Sequence, residues 1–239
     1  MIESSKNQSH GHGNSGVILR INQTKAIFPS EFEVIADGAV IYRGQYSRVF
    51  SFDYEHILTD RQGSLIYKTQ AQPHEHIFRI IPFNLIPFYW IIRPQSRVCS
   101  VIDNFGEPKA EFMRHREGLF GNTYYMIQYN SMNLKLYCVG AGKNKYILVF
   151  LDDKQIGQIC KENIVRNNLD WYMLFLLEAY RDIAPILSLF TLYYDGYHHP
   201  SKVQKGFSYE TSWSWSFDMN RAHYDSTWLH ENFENTNPF

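Results

Sequence analysis

The feature of this sequence that most constrains its fold is a turn signature that recurs between short apolar stretches. It occurs in four segments, Val34–Tyr42, Ile57–Tyr67, Val101–Gly106 and Val149–Ile156. In the first three an Asp opens the turn and a Gly supplies the positive φ that closes it, which is typical of short antiparallel loops. Four such hairpins predict at least eight strands, so we expect a mainly β chain.

Other short stretches also have the composition of strands, because they are apolar or alternate apolar with polar residues. They are Val49–Tyr54, Ile77–Ile81, Trp90–Ile92, Tyr124–Tyr129 and Leu134–Val139. Prolines at positions 82, 87 and 94 predict a bent connection or an edge around Phe83–Trp90. A sheet with this many strands must close or double over to protect its edges.

The most hydrophobic part of the chain follows the predicted strands. Asn168 is a suitable N-cap and Asp170 suits a first helical turn, so the sequence predicts a helix over Asp170–Ala184. A helix that is apolar on nearly every side must be enclosed, and we expect the strands to surround it. Pro185 then begins a second apolar stretch that ends at Tyr194. The residues expected in the core of the central helix are Trp171, Tyr172, Met173, Leu174, Phe175, Leu176, Leu177 and Tyr180.

The segment from Trp171 to Tyr194 is long enough to cross a bilayer, but it carries three charged residues at its centre. Each of Glu178, Arg181 and Asp182 would cost about 2.5–3.5 kcal/mol at the bilayer midplane. We therefore expect a buried helix and no transmembrane span.

Short strands with Asp-Gly hairpins, followed by one intensely hydrophobic segment, resemble the tubby C-terminal-like superfamily, which includes tubby, the LURP-one-related proteins and the phospholipid scramblases. The resemblance covers Phe32 to Asp195 and lies in Asp170–Leu177, Phe190–Asp195 and Leu58–Tyr67. It is most similar to the small bacterial members. The resemblance implies a closed antiparallel barrel of about twelve strands around a central helix. It also implies a lipid-binding role, without assigning lipid contacts to particular residues.

Composition limits the class of partner. Aromatic residues make up 16% and charged residues 20% of the chain, which is typical of a globular protein, and the net charge is −1. Such a charge provides no overall basic field for binding nucleic acid. Three widely spaced cysteines without a CxxC pair fit a reducing compartment, so we expect a cytoplasmic protein, either free or peripheral to the inner membrane.

The sequence predicts three regions, a disordered tail over 1–16, the barrel with its helix over 17–195 and an aromatic tail over 196–239. In the aromatic tail, Trp213, Trp215 and Phe217 alternate with serines, so an extended chain would place all three rings on one face. These rings either cover an edge of the domain or contact a membrane or a partner protein.

No motif in the sequence indicates catalysis, a cofactor or a metal. The pairs His10/His12 and His74/His76 have no third ligand at a recognisable spacing. Glu178 and Arg181 have the spacing of an ordinary ion pair on a helix.

The scattered cations Arg43, Arg48, Lys68, Arg79, Arg93 and Arg97 either face solvent or form a groove for an anionic head group. We therefore expect a non-enzymatic binding or scaffold domain that engages anionic phospholipid. A protein-interaction module acting through the aromatic tail is the alternative, and a hydrolase would require a polar cleft that the sequence does not indicate.

Overall fold

The computed structural model describes residues 16–26, 29–50, 53–71, 98–116, 123–141, 144–162, 169–198 and 220–233. These residues form twelve strands, two α-helices and two short 3₁₀ segments. The strands are β1 (Val17–Lys25), β2 (Ser30–Ala36), β3 (Ala39–Phe50), β4 (Asp53–Asp60), β5 (Leu65–Ala71), β6 (Val98–Asp103), β7 (Pro108–Arg116), β8 (Thr123–Tyr129), β9 (Met132–Ala141), β10 (Asn144–Leu151), β11 (Lys154–Glu162) and β12 (Trp171–Leu176).

The twelve strands form a closed antiparallel barrel in which each strand pairs with its neighbours in sequence. Closure occurs between the first and last strands, where Leu19 of β1 lies opposite Leu174 of β12. A closed barrel leaves no edge strand unpaired, so no row of backbone N–H and C=O groups is left to pair with another chain. The predicted fold class, a closed barrel of about twelve strands with a C-terminal helix, is confirmed.

All four predicted hairpins are confirmed, as β2–β3, β4–β5, β6–β7 and β10–β11. In two of them the Asp side chain builds the turn. Asp60 accepts hydrogen bonds from the backbone N–H groups of Gln62 and Ser64, and Gly63 follows with φ +91°. Asp103 makes the same pattern of bonds in its turn. The Asp and Gly of the signature therefore have distinct roles, the first in hydrogen bonding and the second in backbone conformation.

The other predicted strands have mixed outcomes. Tyr124–Tyr129 lies within β8 and Leu134–Val139 within β9, as expected. Val49–Tyr54 falls across the end of β3 and the start of β4 rather than within one strand. Ile77–Ile81 and Trp90–Ile92 lie outside the described residues.

The helix inside the barrel is α1 (Ala184–His198), which follows a 3₁₀ segment over Glu178–Ile183. Twelve of its residues are buried. Pro185 lies in the first turn of α1, where its missing N–H costs no intrahelical hydrogen bond, so it marks the start of the helix. Ser188 and Thr191 donate their hydroxyl hydrogen bonds to carbonyls four residues earlier, which satisfies these two polar groups inside the apolar core.

The predicted position of the central helix, Asp170–Ala184, is wrong. Trp171–Leu176 is strand β12, and the residues after Leu177 form the connection to α1. The strand is apolar on both faces for two separate reasons, since one face meets the barrel core and the other meets the C-terminal segment. Such a run cannot be told from a buried helix by periodicity alone. The misassigned residues are Trp171, Tyr172, Met173, Leu174, Phe175, Leu176, Leu177 and Tyr180.

A second layer covers part of the outside of the barrel. Residues 220–233 contain the short helix α2 (Trp228–Asn232) and lie against the outer face of strands β8 to β12 and β1. Trp228 and Phe233 are the buried anchors of this layer, and the Phe233 ring meets Phe175 edge-on with centroids 5.3 Å apart. Part of the aromatic C-terminal region therefore belongs to the folded body.

Candidate functional site at the helix-exit end

The two ends of the barrel differ in construction. At one end lie the hairpin turns and the entry to α1, and we call this the hairpin end. The other end, where α1 finishes, we call the helix-exit end, and it is marked by Tyr46, Thr69, Arg114, Cys138 and Lys145 near the ends of their strands. The polar side chains inside the barrel concentrate at the helix-exit end, which makes it the candidate functional region.

A carboxylate near the end of α1 is the centre of the buried polar cluster. Asp195 is fully buried and accepts a hydrogen bond of 2.6 Å from the Tyr172 hydroxyl. The hydroxyl of Tyr46 donates to its second oxygen at 3.3 Å. A carboxylate inside a barrel requires such donors, because an unsatisfied buried acceptor costs about 1–3 kcal/mol or more. The two tyrosines thus fix the end of α1 to strands β3 and β12.

His56 extends this cluster on the neighbouring strand. Its backbone N–H donates to Thr69 Oγ1 at 2.9 Å, and its Nδ1 lies 3.1 Å from the same oxygen. The other ring nitrogen, Nε2, is buried without a hydrogen-bond partner among the described residues and faces Gly196. Burial lowers the pKa of His56 to about 3, so the imidazole is neutral at physiological pH.

A buried ion pair closes the wall beside Tyr172. Lys161 Nζ lies 3.3 Å from Asp170 Oδ1, and both side chains are almost completely buried. The Asp170 backbone N–H donates to Gln23 Oε1 at 3.1 Å, while the Gln23 N–H donates to the Asp170 carbonyl at 2.8 Å. This pairing joins β1, β11 and the start of β12, and removing one partner of such a pair is strongly destabilising.

A second polar cluster surrounds the last turn of α1. Arg114 Nη1 donates to the Tyr197 hydroxyl at 3.3 Å, and the guanidinium lies 5.8 Å from the centre of the Tyr197 ring. The Tyr125 hydroxyl lies 2.7 Å from His198 Nε2. Burial raises the pKa of Tyr125 well above its ordinary value, so its hydroxyl keeps its proton. The hydroxyl and the ring nitrogen share one hydrogen bond, and the tautomer of His198 determines which of them donates.

Arg114 is half-buried and points toward the helix. Burial acts to lower its pKa, but Tyr125 and Tyr197 outweigh that effect and the pKa lies above its ordinary value. No carboxylate of the described residues lies within ion-pair distance of this guanidinium. A half-buried cation without an anionic neighbour is unusual in a folded protein.

Cys138 lies between two cations at this end. Burial raises the pKa of its thiol to about 12, while a hydrogen bond from Tyr194 and the charges of Arg114 and Lys145 act in the opposite direction. The thiol is therefore protonated and is a poor nucleophile. All three cysteines are buried and none forms a disulfide.

The residues selected from the sequence lie elsewhere. Glu178 and Arg181 form an exposed ion pair of 2.6 Å at the hairpin end, far from the polar clusters in the topology. Arg43 is exposed on the outer face of β3. Trp213, Trp215 and Phe217, the His10/His12 and His74/His76 pairs and the cations Arg79, Arg93 and Arg97 lie outside the described residues.

The sequence contained a signal for the clusters that were missed. In several strands the core-facing alternation continues into a polar residue at the last core-facing position, as with Arg114 after Phe112 and Lys145 before Ile147. Strand direction would have placed all of these positions at the same barrel end. Assigning them also required the correct position of α1, but the predicted helix lies about fourteen residues before the observed one.

The described residues offer neither a metal site nor a membrane-spanning helix. They contain no group of three or more His, Cys, Asp or Glu side chains close enough to hold a metal ion. No helix among them combines the length and hydrophobicity needed to traverse a bilayer. Comparisons with protein-family models, with curated proteins and with solved structures found no match to this chain.

Proposed function

We propose that this chain is a tubby-like, non-enzymatic binding domain that attaches to anionic phospholipid at the inner face of a membrane. The support from architecture is general, since a closed twelve-stranded barrel filled by a hydrophobic helix is the arrangement that the resemblance implies. Because α1 fills the barrel, a ligand would contact the ends or the outer surface of the barrel. The helix-exit end is the contact region in this proposal.

The observation that carries the proposal is the negative charge of the hairpin end. The segments that form the hairpin end are 37–38, 60–64, 103–109, 130–131, 152–154 and 177–183, and they contain eight carboxylates against four cations. This end has a net charge of −4, whereas the whole chain has −1, so the rest of the chain carries +3. An anionic surface would repel the hairpin end and orient the barrel with its helix-exit end toward the lipid.

The sequence of one long connection strengthens this orientation. Ala71 and Val98, which flank residues 72–97 in sequence, lie at the ends of β5 and β6 that belong to the helix-exit end. The connection contains Arg79, Arg93 and Arg97 together with six Ile, three Phe and one Trp. Basic residues with apolar and aromatic neighbours are the composition that anionic membrane surfaces attract.

A flotation assay with liposomes tests the proposal. The intact chain should float with vesicles that contain phosphatidylglycerol and should remain at the bottom with pure phosphatidylcholine vesicles. A triple variant, Arg79→Gln, Arg93→Gln and Arg97→Gln, should bind on the order of a hundredfold more weakly, because each cation near such a surface contributes about 1 kcal/mol. No flotation of the intact chain with either vesicle refutes the proposal.

The matched control changes the same amount of charge at the opposite end. Arg61, Lys109 and Lys154 lie in or beside turns of the hairpin end, and their triple substitution by Gln should leave flotation unchanged. Equal losses in the two triple variants would show a response to net charge alone and would remove the oriented contact.

A protein-interaction role for the aromatic tail is the second candidate, and one observation favours it. Asn220 donates hydrogen bonds to the carbonyls of Thr123 and Cys138, so the chain just after Trp213, Trp215 and Phe217 is fixed to the barrel. Replacing all three rings by Ser, while keeping residues 220–233, should abolish the capture of partner proteins or change the oligomeric mass of the chain. An unchanged mass and unchanged capture would contradict this candidate.

A further inference from the structure

We propose that the hairpin end of the barrel is a docking surface for an arginine-rich segment of a partner protein. The surface consists of four partly exposed tyrosines, the exposed ring of Phe105 and the carboxylates of the surrounding turns. This role goes beyond the proposed function, because it concerns the barrel end opposite to the one that the membrane proposal uses. It does not depend on membrane binding.

The first feature of this surface is an aromatic rim at the mouth of the barrel. Its members pack against the barrel core but stay partly exposed, and they are Tyr42, Tyr67, Tyr129 and Tyr180. The hydroxyls of Tyr67 and Tyr129 lie 3.5 Å apart although β5 and β8 are not neighbouring strands, so the rim converges across the mouth. Each hydroxyl has one donor and two acceptor positions, and this long contact leaves most of them available to a partner.

The second feature is an exposed ring beside the rim. Phe105 is the one large hydrophobic side chain of the described residues that is mostly exposed, at 83%. It follows Asp103 by two residues, and Asp103 lies opposite Tyr67 in the β5–β6 pairing. Asp103 accepts hydrogen bonds from the backbone N–H groups of Phe105 and Glu107, which fix the turn. An aromatic ring on a fixed turn loses little conformational entropy on binding, so it is suited to anchor a partner.

The third feature is the charge around these rings. Two of the four cations at the hairpin end are already held in ion pairs, Lys109–Asp103 at 3.1 Å and Arg181–Glu178 at 2.6 Å. Six carboxylates of this end have no ion-pair partner among the described residues, and they are Asp37, Asp60, Glu107, Asp152, Asp153 and Asp182. Such an excess repels nucleic acid and attracts a cationic partner.

Arginine is the side chain that uses both the rings and the carboxylates. Its planar guanidinium stacks on aromatic faces and binds carboxylates through paired N–H donors, whereas the compact ammonium of lysine has no flat face to stack. Tyrosine and arginine are also the residues that often carry most of the binding energy at protein interfaces. A metal ion is a poorer occupant, because the described residues contain no group of three or more potential metal ligands.

Titration of the full chain into a fluorescent oligoarginine peptide, followed by anisotropy at physiological ionic strength, tests the surface. We expect saturable binding that is about tenfold tighter than for an oligolysine peptide of the same length, since several stacking contacts of about 0.5–1 kcal/mol each add up to that factor. Phe105→Ser should weaken oligoarginine binding about threefold without unfolding the chain, because this ring is exposed. Phe105→Trp should restore the binding.

A matched pair of triple variants tests where the charge acts. Asp37→Asn, Asp152→Asn and Asp153→Asn together should weaken oligoarginine binding about tenfold, because three carboxylates are lost beside the rim. The control replaces Glu33, Glu55 and Glu111 by Gln. These residues alternate with core residues and so lie on the outer face of the barrel, and their loss changes the net charge by the same amount. The control should bind oligoarginine like the original chain.

The outcomes are distinguishable from those of the membrane proposal. No saturable binding of oligoarginine, equal affinity for the two peptides, equal losses in the two triple variants or unchanged affinity in Phe105→Ser each overturns the docking surface. Flotation of the original chain with phosphatidylglycerol vesicles would then still support the proposed function. If the peptide results are as expected and the chain floats with neither vesicle, the docking surface stands and the membrane proposal fails.

Discussion

Protonation of His56 should make the barrel sensitive to acid in a predictable way. Its pKa is lowered by burial from 6.5 to about 3, while the unfolded chain keeps an ordinary value near 6.5. Between these values the unfolded state binds a proton that the folded state does not bind, so stability falls as the pH drops through this window. At pH 5 the unfolded state gains about 2 kcal/mol from this proton, and little is gained at pH 7.

Substitution of His56 by Gln isolates this effect. Urea unfolding at pH 7, 6 and 5, followed by circular dichroism, should show a loss of stability toward pH 5 that is about 2 kcal/mol smaller in His56→Gln than in the original chain. The rings that face His56 belong to Tyr46 and Tyr193.

The control substitution is His230→Gln, since His230 is exposed in α2. It should reproduce the pH dependence of the original chain. An equal pH dependence in His56→Gln and the original chain would show that His56 exchanges its proton freely while folded. The burial of its ring would then be wrong.

Three further substitutions probe the packing around the helix. Tyr172→Phe removes the 2.6 Å hydrogen bond to Asp195 and should cost about 1–3 kcal/mol in urea unfolding, and an unchanged urea midpoint would contradict that bond. Gly44→Ala would place a methyl group against the Leu192 side chain of α1 and should lower stability by about 1–3 kcal/mol, whereas a gain would show that α1 lies farther away. Trp228→Ala should lower stability by about 3 kcal/mol by removing an anchor of the outer layer, and an unchanged melting temperature would mean that residues 220–233 do not pack there.

The hairpins could be predicted because their information is local. Asp60 and Gly63 determine a turn within five residues, through hydrogen bonds and backbone conformation that depend on no distant contact. Once several antiparallel hairpins follow one another, the need to protect the edges leads to a closed sheet. The strand content and the closure therefore followed from short segments of sequence.

The identity of the inner helix could not be predicted in the same way, because it depends on what covers each face. In β12, Tyr172 and Leu174 face the barrel core, whereas Phe175 faces outward and is covered by Phe233. The covering residues lie more than fifty positions later in the chain. Without these residues, Phe175 would be an exposed ring on the outer face of the barrel.

The polar clusters could not be predicted, because they form between residues that are far apart in the chain. Asp195 on α1 meets Tyr46 from β3 and Tyr172 from β12, so its surroundings exist only after the barrel closes and the helix enters it. Arg114 meets Tyr197 on the same condition. A shift of the helix by a few residues would bring different side chains of α1 next to the strands. The position of the helix in sequence therefore decides which polar residues meet at the helix-exit end.

The difference between the barrel ends follows from the same geometry. Two of the hairpin turns use an Asp side chain for local hydrogen bonds, and Asp37, Asn130 and Asp152 adopt the positive φ in three others. A barrel built from such hairpins therefore accumulates acidic residues at the end where these turns lie. The opposite end receives the C-terminus of α1, whose dipole favours cations nearby, and Arg114 and Lys145 occupy strand ends there. The acidic character of the hairpin end and the cations near the C-terminus of α1 are therefore both consequences of how turns and a helix terminus are stabilised.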